Sequence, residues 1–174
     1  MTKKDIISMP PYFDQYINLV EDSDVIEALQ KYNVDYVTAE MPTLKLLGDK
    51  IYAPHKWTVN DILQHVVDNE RIFSYRALRF ARQDKTPLPG VDENAHAANA
   101  KANGRRLEDI ISEFDNCRQA TVALYKSFDK DQMLSEGIAF NKNISVLAIG
   151  YLLSGHLIHH MNVIKERYYP LLNM

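Results

Sequence analysis

Apolar residues recur along the chain with the three-and-four rhythm of helices, and no segment alternates convincingly with period two. Four stretches carry the rhythm. The first runs from about Asp24 to Met41 and ends before Pro42, with Asp22, Ser23 and Asp24 available to cap its start. A shorter piece, Tyr12 to Val20, reads as a helical turn packed across the bundle end. The second stretch is the clearest. Thr58 caps it, and Val59, Leu63, Val66, Phe73, Ala77 and Phe80 form an inward stripe that reaches about Arg82. The third runs from about Arg105 to Phe128 through Leu107, Ile110, Ile111, Phe114, Ala120 and Leu124. The fourth runs from about Ser145 to Tyr168 and stops at Pro170.

Between the second and third stretches the chain turns on Pro87, Pro89 and Gly90, then passes through a polar, Ala- and Asn-rich segment, Asp92 to Gly104. That segment is expected to be partly helical. The economical architecture is therefore all-α: a four-helix bundle, one domain over residues 1–174, with a long crossover between the second and third helices.

Composition narrows the function classes. An apolar fraction of 46% with 25% charged residues is the profile of a folded globular chain. The net charge of -3 and the dispersed basic residues give no electrostatic footprint for nucleic acid, so no nucleic-acid partner is expected. No stretch approaches the ~18 apolar residues of a membrane span, so no membrane partner is expected either. The N-terminus leads into Pro10-Pro11 without the apolar run of a signal peptide. The single cysteine, Cys117, excludes an internal disulfide and sits among apolar helical positions, where it reads as a small core hydrophobe. A cytoplasmic location is expected.

The candidate chemistry lies in the histidines. His156, His159 and His160 crowd into five residues of the fourth helix. A spacing of four rotates a helix by about 40° and advances it ~6 Å, so His156 and His160 stack one above the other. Both fall on or beside the inward stripe of Ile149, Leu152, Leu153, Val163 and Ile164, while His159 points toward a flank. Two imidazoles so placed can share one ion but leave its shell incomplete. His65 is the candidate third ligand, because it lies with Ile62, Asn69, Ile72 and Arg76 on a stripe that borders the apolar face of the second helix. Glu70 falls on the apolar face itself. A buried carboxylate is costly unless paired, so Glu70 is expected to meet a basic group, such as Arg105, or to orient a ligand imidazole. His55 and His96 read as surface residues, and the tyrosines and Trp57 as core and cleft packing. Spacing alone leaves chance placement of these histidines open.

Three stretches then carry a family likeness. They are Lys56-Trp57-Thr58 with Ile62-Leu63-Gln64-His65 and Asp68-Asn69-Glu70-Arg71; Arg76 to Arg82 with Pro89 to Asn94; and Ser145 to Ala148 continuing into Gly155-His156-Leu157-Ile158-His159-His160 and Ile164 to Tyr168. In these motifs the chain resembles the DinB/YfiT-like superfamily of metalloenzymes, from about Tyr12 onward. The resemblance implies a metal site on His65, His156 and His160, holding a divalent ion, zinc or nickel foremost, with open water positions. It implies a small-molecule substrate, through transfer of a low-molecular-weight thiol onto an electrophile or through metal-dependent hydrolysis. In either reaction Glu70 is the candidate proton acceptor or orienting group. A homodimer is also implied. The rival expectation is a non-catalytic binding module with a structural metal or none.

Overall fold

The computed structural model describes residues 1–173. After a short turn at the N-terminus come α1 (Asp14–Ile17), α2 (Val25–Lys31), α3 (Val34–Thr38) and α4 (Met41–Leu47). The long helix α5 (Val59–Ala81) follows, then the short α6 (Glu93–Ala100) and the second long helix, α7 (Leu107–Lys126). The chain ends with α8 (Lys130–Leu134), a hairpin of β1 (Glu136–Ala139) and β2 (Lys142–Ser145), and α9 (Val146–Val163), which runs on into a wider turn and a last 3-10 turn. The fold is a four-helix bundle of α5, α7, α9 and the broken α2–α4 segment. No helix among the described residues is long and apolar enough to cross a membrane.

Local chemistry sets the boundaries. Thr58 and Asp61 form a reciprocal capping box at the start of α5, as Asp24 and Glu27 do for α2. Ser145 accepts a hydrogen bond from the Ala148 amide at the start of α9. The helix expected from Asp24 to Met41 is instead two pieces, α2 and α3, and a third helix, α4, begins where it was to end. Asn33 caps α3 by accepting from the Asp35 amide, which competes with continuation of α2. Pro42, taken as a stop, sits in the first turn of α4, where a missing N–H costs nothing.

The hairpin is the second departure, since no strand is expected from periodicity. Its antiparallel register pairs Glu136 with Ser145 and Ala139 with Lys142. At four residues a strand, the alternation is too brief to register against the helical background. The helix α9 is also more deeply placed than an amphipathic surface helix: every residue from Val146 to Ile158 is buried. It is the central post of the bundle, packed by α1, α2 and α5.

The crossover is tied at both ends and rests on α5 in the middle. At its start the Leu88 amide donates to the Ile138 carbonyl (2.9 Å), and Arg76 Nη2 donates to the Pro89 carbonyl (2.9 Å). At its end Asn60 Nδ2 donates to the Arg105 carbonyl (3.1 Å), and the Thr58 hydroxyl donates to Asn103 Oδ1 (2.6 Å). Between these ties α6 has no buried residue.

Candidate metal centre

Two helices bring the three histidines together. On α5, His65 is buried beside Ile62 and Val66; on α9, His156 is buried and His160 half-buried one turn on. One ring nitrogen of each lies within 4.8 Å of the others. His156 Nε2 stands 3.1 Å from His65 Nε2 and 3.0 Å from His160 Nε2. Nitrogens bound tetrahedrally to one ion at ~2.0–2.1 Å would stand ~3.3 Å apart, so the observed spacing is close to that of a filled site.

Electrostatics favours the ligand form of these rings. Burial, with smaller contributions from His159 and His96, pulls the pKa of His65 down to about 4. Burial likewise holds His156 and His160 well below the usual histidine value, and the neighbouring imidazoles push the same way. All three are neutral at pH 7, with lone pairs available to a cation. Neutral nitrogen donors, buried and convergent from two rigid helices, fit a divalent transition ion.

Aromatic walls close the cluster. The Trp57 ring centroid lies 4.9 Å from that of His65, and Tyr16 packs edge-on at 5.5 Å from His156 and 5.1 Å from His159. Tyr16 reaches this position because α1 touches α9 at Gly155, where a Cβ would come within 2.0 Å of the Tyr16 carbonyl oxygen. The helical turn at Tyr12–Val20 therefore lies against the histidine segment of α9. The phenol of Tyr16 is pushed up from its ordinary value by burial, then by Tyr12 and Glu93, and stays protonated. No periodicity marked Tyr16; only the glycine preceding His156 hinted at a close neighbour.

On the His160 side a cavity of about 260 Å³ opens between Trp57, Tyr52, Ile62, Asn94, His159 and Tyr168. His159 thus borders this cavity and is not one of the three converging groups. His55, exposed at a positive φ of 64°, lines the same cavity. His96 is exposed on α6, near His65.

Glu70 is not among the three converging groups, and its side chain is engaged elsewhere. Its Oε1 and Oε2 accept from Arg118 Nε and Nη2, both at 2.8 Å, and both residues are almost fully buried. A buried carboxylate engaged on both oxygens by a guanidinium is a satisfied charge. Its partner is Arg118 rather than Arg105, which instead pairs with Glu113. Arg118 also donates to the Tyr32 carbonyl (2.6 Å) and approaches the Leu153 carbonyl (3.4 Å), so the pair ties α5 and α7 to the end of α2 and to α9 below the histidines.

A helical bundle holding three convergent imidazoles between two of its long helices defines a recognisable class of metal-centre protein. The chain belongs to the DinB superfamily, whose family model matches residues 30–164, a span that contains all three histidines. Among solved structures it is similar to YfiT from Bacillus subtilis, with a TM-score of 0.66 and 16% identity, covering 91% of this chain and 87% of that one. That protein is described as "a probable metal-dependent hydrolase with an unusual four-helix bundle topology". At this identity the likeness establishes the shared fold. No curated protein matches the sequence.

Proposed function

We propose that the protein is a metal-dependent enzyme acting on a small molecule, with His65, His156 and His160 holding one divalent ion, zinc or nickel foremost. The observation that carries this reading is the approach of three neutral imidazole nitrogens from two separated helices. Three protein nitrogens leave coordination positions open, which is the form of a reactive rather than a closed structural site. When bound, such an ion polarises a carbonyl and lowers the pKa of bound water or thiol toward ~7.

The chain's own residues supply the rest. Trp57 and Tyr16 exclude water from two sides, and the cavity beside His160 receives the substrate body. Tyr16 sets its ring edge-on to His156, and its hydroxyl stays protonated. Two chemistries follow. Hydrolysis is favoured by the description of the similar fold. Transfer of a low-molecular-weight thiol is favoured by the engagement of Glu70 with Arg118, because a thiol activated by the ion has less need of a carboxylate base. A homodimer in the cytoplasm completes the proposal, with the assembly read by solution mass measurement.

The test is turnover on two panels, esters and lactones against thiol–electrophile pairs, before and after chelation and re-loading. Metal-dependent turnover abolished in His160→Ala, with the melting temperature of the metal-free protein unchanged, supports the reading. Unfolding on metal removal with no substrate consumed on either panel would assign the ion a structural role.

A further inference from the structure

The three histidines and the Glu70–Arg118 pair leave one buried charge unexplained. Arg76 is 3% exposed, yet among the described residues it forms no ion pair with any carboxylate. Its one hydrogen bond within the chain runs from Nη2 to the Pro89 carbonyl, and its guanidinium lies 4.7 Å from the Phe73 ring centroid. A guanidinium carries five N–H donors and a full charge; here one carbonyl and the face of Phe73 meet it, and its other nitrogens keep some contact with solvent and stay open to a ligand.

Its position points to a use. Arg76 follows His65 by eleven residues, which places both within about 20° on one face of α5, with Asn69 between them. Helical side chains lean toward the N-terminus, here toward the histidines. Arg76 and His156 line one small pocket together with Tyr16, Asn69 and Glu93. Its open space, about 20 Å³, is room for a group little larger than a water molecule, such as the end of a carboxylate. Glu93, the one carboxylate on this pocket, stands on the exposed helix α6 and makes no ion pair with Arg76.

We propose that Arg76 anchors a carboxylate of the substrate, so that the site selects small acidic molecules whose reacting group lies at the histidines. A guanidinium recognises a carboxylate through two parallel N–H donors, with geometry as well as charge. The polarity of the pocket sets orientation: the acidic end lies on the Arg76 side and the reacting end at the cluster. This inference rests on the histidine centre being the reactive site.

The experiment uses cobalt(II)-loaded protein and reads thiolate-to-cobalt absorption on titration with mercaptoacetate, 3-mercaptopropionate and 4-mercaptobutyrate. The mercaptoalcohol of each length is the control. At one chain length or more, the acid is expected to bind at least about tenfold tighter than its alcohol. Arg76→Met should erase that preference, Arg76→Lys should keep part of it, and Glu93→Gln should enlarge it by removing a competing carboxylate. Equal binding of acids and alcohols by the wild-type protein at every length overturns the proposal, whether or not the variants fold. So does an acid preference that survives Arg76→Met in a folded protein. A metal-free titration with butyrate against butanol, followed by NMR shifts, separates the two readings. If cobalt does not bind, the metal centre fails, and saturation by butyrate in wild type but not in Arg76→Met still carries the anion site. No difference between butyrate and butanol there would overturn it.

Discussion

Gly155 shows how one missing side chain builds a site. The backbone of α1 passes where a Cβ on Gly155 would stand, 2.0 Å from the Tyr16 carbonyl oxygen. Gly155→Ala must push α1 away from α9, since the obstacle is backbone and not the end of a flexible side chain. A cost of roughly 1–3 kcal/mol follows for overpacking of this kind, read as a lower denaturant midpoint with unchanged slope. The Glu70–Arg118 pair makes a second residue-scale prediction. Glu70→Gln or Arg118→Met alone strands a buried charge or its partner and should cost about 3–5 kcal/mol, while replacing both with apolar residues of similar volume should recover much of that. A double-mutant cycle by chemical denaturation checks it. At this scale the histidines were legible, because a four-residue spacing dictates a shared face whatever surrounds it. Arg118 was not. A charged residue at an inward position of α7 reads as a break in the apolar stripe, and its partner lies 48 residues away.

At the scale of elements, the same arginine shifts the inward face of α7 from the one its apolar pattern predicts. Hydrophobicity predicts a stripe through Ala120 and Leu124, but the buried positions after Phe114 are Arg118, Thr121 and Tyr125. Polar residues occupy the true inward face there, so hydrophobicity pointed to its flank. The long helices α5, α7 and α9 were legible because caps and periodicity agree over many turns. The first helix was not, because Asn33 and Pro42 act through local hydrogen bonding and first-turn geometry that a hydrophobic pattern does not register. The packing of α5 on α7 also carries a pH prediction. Glu113 accepts from both Arg71 and Arg105. Burial alone would raise its pKa, but the hydrogen bonds from Arg71 and then Arg105 outweigh that and hold it below the ordinary glutamate value. A carboxyl depressed in the folded state stabilises above its unfolded pKa, and that contribution is lost as pH falls through the folded value. Glu113→Gln should therefore cost about 1 kcal/mol at pH 7 and nothing once the carboxyl is protonated, as followed by urea unfolding across pH.

For the whole molecule, the architecture divides labour between a rigid post and a tethered cover. The buried helix α9 and its neighbour α5 fix the imidazoles, while the crossover, tied at Pro89 and again at Ala102 to Arg105, carries the unburied α6 beside them. The bundle and its crossover followed from counting periodic segments; the placement of α6 beside the histidines did not, because it depends on ties between residues more than forty positions apart. Binding of an ion to the folded state alone stabilises by mass action, by about 2.7 kcal/mol at a hundredfold excess over Kd. Thermal unfolding with and without metal should show this gain in the wild-type protein and lose it in His156→Ala. The central claim, one ion shared by α5 and α9, is tested most directly by elemental analysis of untagged protein, wild type against His65→Ala. One transition-metal ion per wild-type chain, with most of it lost in the variant, is the predicted result. Equal metal content in both proteins, or none in either after loading, would contradict it.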